Sequence, residues 1–320
     1  MNSLSRSSTA FMFPGQGSQY VGMGAELAQS SRAARAVFAA ADDLLHQPLS
    51  RLCWEGPEAE LNATHNTQPA LYVCSLAALA ALHEQAGSWQ PAFAAGHSLG
   101  EITALTAAGA LRFEDGLQLV RERGRLMQLA GERQPGGMAA VVGAAAAVVH
   151  AICAQATAES GQPVALANDN CPGQVVMSGH VAALQRATEL LRAAGFKRVL
   201  PINISVAAHS PLMASVGNEY AAVVAATPMQ APHMPVIANT SAAAMRDAPA
   251  VRAELQAQLT AVVRWTESMQ ALLAAGVKNF VELGPRTVLC GLLKRIDSAA
   301  ARYALGAPAD LPALQQLLAA

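Results

Sequence analysis

One five-residue segment carries the residue types and spacing that nucleophilic catalysis needs. Gly96-His97-Ser98-Leu99-Gly100 matches Gly-x-Ser-x-Gly, the nucleophile elbow, in which a sharp strand-to-helix turn exposes a serine hydroxyl above a sheet. Glycines are required there because the crowded backbone leaves no room for Cβ atoms. A short apolar run ends at Gly96, and a helical pattern begins at Leu99. The pattern therefore predicts that Ser98 is a nucleophile.

The same turn offers groups that could stabilise negative charge on a reacting carbonyl. A helix that begins after Ser98 directs its N-terminal amides and the positive end of its dipole at that charge, and the N–H of Leu99 is the natural donor. A second donor must come from another loop. The glycine-rich residues 14–18, which follow the first predicted strand, can bring a backbone amide close. Taken alone, that segment is explained better as an ordinary strand-to-helix turn.

A serine hydroxyl is a poor nucleophile until a base takes its proton, so a histidine must lie within hydrogen-bond reach. His97 adjoins Ser98 and is expected to project elsewhere. His209 follows the apolar residues 202–208 and precedes Ser210-Pro211, which places it on a loop just before a helix. Position alone leaves a solvated loop histidine as the alternative. The other six histidines lie in settings that suggest solvated or structural roles: His46, His65, His83, His150, His180 and His233.

The wider pattern is that of an α/β chain. Its 320 residues fit one large domain, or one domain with an insertion. Outside the middle of the chain, strands are predicted near 11–13, 91–95, 235–238 and 279–282, and helices at 68–86, 99–108, 114–129, from about 211, and around Arg252 and Thr266.

The middle of the chain has a different order of elements. After turn-forming residues at 134–137, the pattern predicts strand, helix, strand, strand, helix and strand, at 138–142, 144–158, 164–167, 174–178, 181–194 and 197–201. That order is typical of a ferredoxin-like split βαβ unit. We therefore expect a small ferredoxin-like subdomain at 134–201, inserted into a large hydrolase-like subdomain with a parallel sheet, formed by 1–133 and 202–320.

Composition excludes several functional classes. The 21 Lys and Arg residues balance 22 Asp and Glu residues, which argues against a nucleic-acid partner. The longest strongly apolar run, 138–149, is shorter than the roughly 20 residues of a membrane span. Five dispersed cysteines without a Cys-x-x-Cys pair suggest reduced thiols and no metal site. With no apolar signal core at the start, we expect a cytoplasmic protein.

Five segments together resemble the motifs of the malonyl-CoA:acyl carrier protein transacylases, in the order and spacing of that family. They are Gly15-Gln16-Gly17-Ser18-Gln19, Gly96-His97-Ser98-Leu99-Gly100-Glu101, Arg123-Gly124, His209-Ser210-Pro211-Leu212-Met213 and Glu282-Leu283-Gly284-Pro285. The resemblance spans nearly the whole chain. It implies a two-subdomain fold, a ping-pong reaction through an acyl-serine, malonyl-CoA and acyl carrier protein as partners, and no cofactor.

The resemblance also implies a role for each matched residue. Ser98 would be the acylated nucleophile and His209 its base, with the backbone amides of Gln16 and Leu99 as the oxyanion hole. The family orients its histidine through a backbone carbonyl rather than a carboxylate, and Gln258 is placed to supply it.

Two further residues would face the substrate. Arg123 lies in a charge run that would otherwise be interpreted as a solvated helix face, but the resemblance implies that it grips the malonyl carboxylate. Since a buried arginine is left unpaired by an acetyl group, it would also reject acetyl donors. Gln68 matches a position that lines the pocket, although it could simply start a helix ahead of Pro69.

The sequence departs from the family at three places. Ile102 stands where many relatives have an aromatic residue, and Arg286 stands where relatives often have glycine. The segment Val206-Ala207-Ala208-His209 matches neither four-residue signature that sorts polyketide acyltransferases into malonyl and methylmalonyl types. The choice of extender unit therefore stays open.

Other functions remain possible from the sequence. A thioester hydrolase would share the elbow and the histidine but let water attack, and a polyketide trans-acyltransferase would use a different extender unit. A patatin-like lipase would pair Ser98 with an aspartate, for which Asp115-Gly116 is available. A docking subunit would keep the fold without the chemistry.

Overall fold

The computed structural model describes residues 5–202, 204 and 206–319. The strands are β1 (Thr9–Phe13), β2 (Phe93–Gly96), β3 (Gly136–Val142), β4 (Val164–Cys171), β5 (Gln174–His180), β6 (Arg198–Ile202), β7 (Val236–Ile237), β8 (Ala244–Met245), β9 (Asn279–Leu283) and β10 (Ala301–Leu305). The α-helices are α1 (Ala25–Ser30), α2 (Arg32–Leu45), α3 (Leu49–Glu55), α4 (Glu58–Leu61), α5 (Thr64–Ala86), α6 (Leu99–Ala107), α7 (Phe113–Arg133), α8 (Ala146–Ser160), α9 (Val181–Ala193), α10 (Gly217–Ala226), α11 (Ala248–Gln258), α12 (Trp265–Ala274), α13 (Val288–Ile296) and α14 (Leu311–Ala319).

The larger sheet has the order β10-β9-β1-β2-β7-β8, and its first five strands run parallel. Every residue of β1 is buried, because Phe11 and Phe13 pack into one hydrophobic core while Ala10 and Met12 pack into another on the opposite face. Burial on both faces is typical of parallel sheets. The register pairs Phe13 with Gly96, so the carboxyl ends of β1 and β2 and the loops that follow them lie side by side.

The smaller sheet has the order β4-β5-β3-β6 and is antiparallel throughout. In chain order this is the ferredoxin-like arrangement, with α8 and α9 packed on one face. The other face joins the core of the larger unit through Met138 and Val176. The predicted fold class is thus confirmed. The division at 134 and 201 stays a prediction; β6 continues to Ile202.

Several elements differ from the sequence prediction. The helices α1 to α4 were not predicted. Helix α2 buries Ala34, Phe38 and Leu45 at helical spacing, so its pattern is present in the sequence, whereas α1, α3 and α4 have only six, seven and four residues, too few for helical periodicity to show. The helix expected from about 211 begins as a 3₁₀ segment, Pro211–Val216, and continues as α10. Strand β4 extends four residues beyond the predicted 164–167, with polar residues at three of these positions, Asn168, Asp169 and Asn170. Among the described residues, no helix has the length and apolar character to cross a bilayer.

The elbow depends on close contacts that only glycine permits. A Cβ on Gly96 would collide with the carbonyl of Gly100, and one on Gly100 would collide with the carbonyl oxygen of Phe13. Helix α6 therefore starts against the end of β1 without room for any side chain. These two clashes explain why both glycines of the Gly-x-Ser-x-Gly motif are required in this chain.

We expect Gly100→Ala to lower the free energy of unfolding by at least about 1–3 kcal/mol, because backbone atoms of β1 and α6 must move apart. Gly291→Ala is the matched control: Gly291 lies on α13, and an added Cβ meets no atom there. That control should be neutral or raise stability by up to about 1 kcal/mol through helix propensity. Urea denaturation would measure both changes, and equal stabilities would contradict this interpretation of the elbow.

Candidate active site

Ser98 occupies a strained backbone conformation that a neighbouring asparagine holds in place. Its φ of 54° and ψ of −109° lie outside the regions that L-residues prefer. The N–H of Ser98 donates to Asn239 Oδ1 at 2.7 Å, and Asn239 Nδ2 donates to the carbonyl of Gly96 at 2.7 Å. One amide side chain thus bridges both sides of the turn. Asn239 was not predicted from the sequence; its only signal is its position just after β7, the parallel neighbour of β2.

The hydroxyl of Ser98 and the imidazole of His209 are within hydrogen-bond distance, with 2.7 Å between Oγ and Nε2. His209 is only 3% exposed. Its Nδ1 lies 3.0 Å from the carbonyl oxygens of both Gln258 and Ala261. Since carbonyls only accept hydrogen bonds, we assign the proton to Nδ1, which leaves the lone pair of Nε2 directed at Ser98.

The surroundings of His209 keep its ring neutral. Burial, followed by the nearby charges of Arg123 and His97, lowers the pKa of His209 to about 3, although the two carbonyl contacts oppose this shift. A neutral imidazole is the form that can accept a proton from Ser98. The histidine is therefore held in the state that a general base requires.

Arg123 reaches the site from α7 and is 1% exposed. Its Nη2 donates to Ser98 Oγ at 3.1 Å and to Gln258 Oε1 at 2.9 Å, and its Nη1 donates to Gln68 Oε1 at 2.9 Å. Among the described residues, no carboxylate pairs directly with this guanidinium. Its partners are two neutral amides, a hydroxyl and the thioether sulfur of Met127, so its positive charge can bind an anionic group of a ligand beside the nucleophile.

The two predicted oxyanion donors lie on adjacent loops. The loop after β1 can come close to the elbow because Gly15 has no Cβ. A Cβ at this position would collide with the carbonyl oxygen of His97. Within the described part of the chain, the backbone N–H groups of Gln16 and Leu99 donate to no other group. They are therefore free to bind a carbonyl oxygen at Ser98.

A cleft between the two sheets opens onto this group of residues. Ser98, His209 and the Gln16 loop line one side. Asn168 and Asn170, on the part of β4 that extends beyond the prediction, line the other. His97 does not contact His209 by a hydrogen bond; its Nε2 lies 2.8 Å from Asn170 Oδ1. Of the seven predicted site residues, Gln16, Ser98 and His209 line the cleft. Leu99 follows Ser98 directly in the chain, and hydrogen bonds connect the buried residues Gln68, Arg123 and Gln258 to Ser98 and His209.

Two other residues named in the sequence analysis have structural explanations. Asp115, the alternative partner of Ser98 in a lipase, lies at the start of α7, where its carboxylate is 3.9 Å from Arg112. Arg286 has a φ of 64°, in the left-handed region where glycine is favoured, and its guanidinium lies 5.5 Å from the ring centroid of Tyr20. It is exposed and lies two residues before Val288 at the rim of the cleft.

This arrangement is that of an enzyme that transfers acyl groups through a serine nucleophile. A sequence profile of the acyl transferase domain family matches residues 10–303. The malonyl CoA-acyl carrier protein transacylase of Bacillus subtilis (strain 168) is 41% identical over 98% of both chains, and that of Escherichia coli (strain K12) is 42% identical over 96% of this chain and 99% of its own.

Solved structures agree with these relatives. The malonyl-CoA:acyl carrier protein transacylase of Xanthomonas oryzae pv. oryzae superimposes with a TM-score of 0.93 at 42% identity, over 98% of this chain and 99% of its own. A malonyl-transacylase solved in complex with its type II PKS acyl-carrier protein gives a TM-score of 0.93 at 38% identity, over 97% and 99%. The chain belongs to the malonyl-CoA:acyl carrier protein transacylase family.

The pH dependence of the reaction should show the neutral state of His209. Because kcat/KM for the acyl donor reports ionisations of the free enzyme, we expect no loss of kcat/KM with an apparent pKa near the usual histidine value of about 6.5. The decline should begin only at clearly lower pH, since protonation removes the base. Rates measured between about pH 8 and about pH 5 test this, and an acidic limb centred near 6.5 would contradict it.

Proposed function

We propose that this protein transfers a malonyl group from malonyl-CoA to the phosphopantetheine thiol of an acyl carrier protein. The observation that carries the proposal is the buried guanidinium of Arg123, which lies 3.1 Å from the hydroxyl of Ser98 and has no carboxylate partner among the described residues. A malonyl group on Ser98 would bring its free carboxylate beside this cation. The relatives at about 40% identity bear the name of this reaction.

In the first half-reaction, Ser98 Oγ attacks the thioester carbonyl while His209 Nε2 takes its proton. The developing oxyanion accepts hydrogen bonds from the backbone amides of Gln16 and Leu99. His209 then donates the proton to the departing thiolate of coenzyme A, and a malonyl-serine ester remains. The carbonyls that accept from Nδ1 stabilise the positive charge that the imidazole carries between these two steps.

In the second half-reaction, the carrier's thiol replaces coenzyme A in the cleft. His209 takes the thiol proton, the thiolate attacks the ester, and the proton returns to Ser98 Oγ as the new thioester leaves. The same groups therefore serve both half-reactions. The malonyl-transacylase solved with its carrier protein shows that a relative of this fold docks such a partner.

The cytoplasm is the proposed location of this reaction. All five cysteines are free, and four of them are buried. Free thiols are typical of proteins from reducing compartments.

Transfer and hydrolysis can be separated by one assay. Purified protein with malonyl-CoA and a holo acyl carrier protein should form malonyl-carrier rapidly, whereas release of free malonate without carrier should be much slower. Intact-mass analysis with malonyl-CoA alone should show a malonyl adduct on the wild type and none on Ser98→Ala. Rapid turnover in the absence of carrier would instead establish a hydrolase, and lack of any adduct would refute the acyl-serine.

Arg123→Ala should reduce the preference for malonyl over acetyl donors. Each charge-assisted hydrogen bond is worth about 1.5–3 kcal/mol, so kcat/KM for malonyl-CoA should fall by roughly 10²-fold or more while that for acetyl-CoA changes little. Arg125→Ala is the matched control, because Arg125 is an exposed arginine on the same helix that pairs with Glu122. An unchanged malonyl-to-acetyl ratio in Arg123→Ala would refute the carboxylate clamp.

A further inference from the structure

The carboxylate of Glu101 is buried one turn after the nucleophile and has no role in the mechanism above. Glu101 is 0% exposed on α6. Its Oε1 accepts from the backbone N–H of Asn239 at 2.7 Å, and its Oε2 accepts from Gln258 Nε2. Both oxygens thus face donors. A buried carboxylate is costly, and one whose donors both belong to residues of the site is unlike an ordinary structural ion pair.

The side chain of Gln258 connects this carboxylate to the active site. Its Nε2 also donates to the carbonyl of Ser98 at 2.9 Å, its Oε1 accepts from Arg123 Nη2 at 2.9 Å, and its own backbone carbonyl lies 3.0 Å from His209 Nδ1. One residue therefore contacts the nucleophile, the base and the cation. A shift of Gln258 would therefore displace a hydrogen-bond partner of Ser98, His209 and Arg123 together.

The amide of Gln258 has one orientation that satisfies all its neighbours. A guanidinium only donates, so Arg123 requires the amide oxygen on its side; a carboxylate only accepts, so Glu101 requires the NH₂ group on the other. If residue 101 donated toward Gln258, neither orientation of the amide would satisfy both neighbours. With its oxygen toward Arg123, its NH₂ group would face a second donor at position 101; with the amide reversed, its NH₂ group would face the guanidinium. The acceptor oxygen that Glu101 presents to Gln258 therefore fixes the amide.

We propose that Glu101 is a positioning residue for malonyl recognition: through Gln258 it holds the guanidinium of Arg123 and the carbonyl that orients His209. This inference rests on the proposed malonyl transfer. Glu101 also supplies a negative charge one amide away from Arg123, which stabilises the buried cation without occupying the side that binds the malonyl carboxylate.

The electrostatic surroundings of Glu101 act in both directions, so the assignment rests on the N–H donors that face both of its oxygens. Burial raises the pKa of Glu101 well above its usual range, and the nearby carboxylate of Glu254 raises it further. The hydrogen bonds from Asn239 and Gln258 and the charge of Arg123 oppose the shift. The groups that favour the charged form of Glu101 are thus the same groups that it positions.

Glu101→Gln tests the proposal with minimal change in volume. The new amide can still accept from the N–H of Asn239, but it then presents NH₂ to the NH₂ of Gln258. We expect kcat/KM for malonyl-CoA to fall by about tenfold or more, with a smaller change for acetyl-CoA, so the malonyl-to-acetyl ratio falls. A residue that only supports the fold would lower thermal stability and leave this ratio unchanged.

Glu254→Gln is the matched control. Glu254 is a buried carboxylate near Glu101 that accepts from Thr240 N at 2.9 Å and from Thr240 Oγ1. A glutamine there can keep both contacts, because the threonine hydroxyl can accept as well as donate. Its malonyl-to-acetyl ratio should equal that of the wild type. If Glu254→Gln lowers the ratio as much as Glu101→Gln does, loss of buried charge in general is responsible and the proposal is overturned.

A double-mutant cycle tests whether Glu101 acts through Gln258. With Gln258→Ala as background, adding Glu101→Gln should change the malonyl-to-acetyl ratio by less than about twofold, because the connecting amide is already gone. Additive effects would overturn the proposal.

Glu101→Asp provides a second test if Glu101→Gln does not fold. It keeps the charge but shortens its reach toward Gln258, and should also lower the ratio. A folded Glu101→Asp with the wild-type ratio would overturn the proposal. A wild type that forms no malonyl-carrier would instead refute the proposed function itself.

Discussion

The buried guanidinium of Arg123 is the constraint on which the rest of the site depends. A charge removed from water must be hydrogen-bonded, yet a direct carboxylate partner would occupy the position that the substrate needs. The chain meets both requirements with neutral acceptors, the side-chain oxygens of Gln68, Gln258 and Ser98. The cation is thereby held firmly while its charge remains available. An acetyl group offers no anion to this charge, so under the proposed function the same desolvation that makes the buried arginine costly would make it selective.

The same cation sets the state of the base. Arg123 is, after burial, the largest cause of the depressed pKa of His209. In the empty site this guarantees a neutral imidazole, but it also makes that imidazole a weak base. When a substrate carboxylate neutralises the guanidinium, the repulsion falls and the affinity of His209 for the proton of Ser98 rises. Under the proposed function, malonyl binding and the base strength of His209 would thus be coupled through one charge, and a donor without a carboxylate would gain neither.

The prediction that Ser98 is the nucleophile rests on local physical features of the sequence. The elbow is a run of five residues whose glycines are each required by a backbone contact. Arg123 is different: its charge run has the pattern of a solvated helix face, and only family resemblance indicated that one arginine of three turns inward. Helical spacing gave α5 to α9, but α1, α3 and α4 have seven residues or fewer, too few for helical periodicity to show, and the apolar pattern of α2 was missed. Because the end of β4 is polar, the sequence pattern did not predict the part of that strand that faces the cleft.

What could not be predicted is the set of contacts between distant parts of the chain. Asn239 bridges the elbow from 141 positions away from Ser98, and Gln258 reaches Glu101 across 157. No local pattern marks such residues, because an asparagine after a strand or a glutamine at a helix end is ordinary in sequence. Their importance comes from the sheet, which sets β7 beside β2 and so brings the residues after both strands to the same edge. The strained backbone of Ser98 needs such external support, since a turn in that conformation does not hold itself. The fold therefore contributes more than a platform: it supplies the hydrogen bonds that keep the nucleophile, its base and the selecting cation in one geometry.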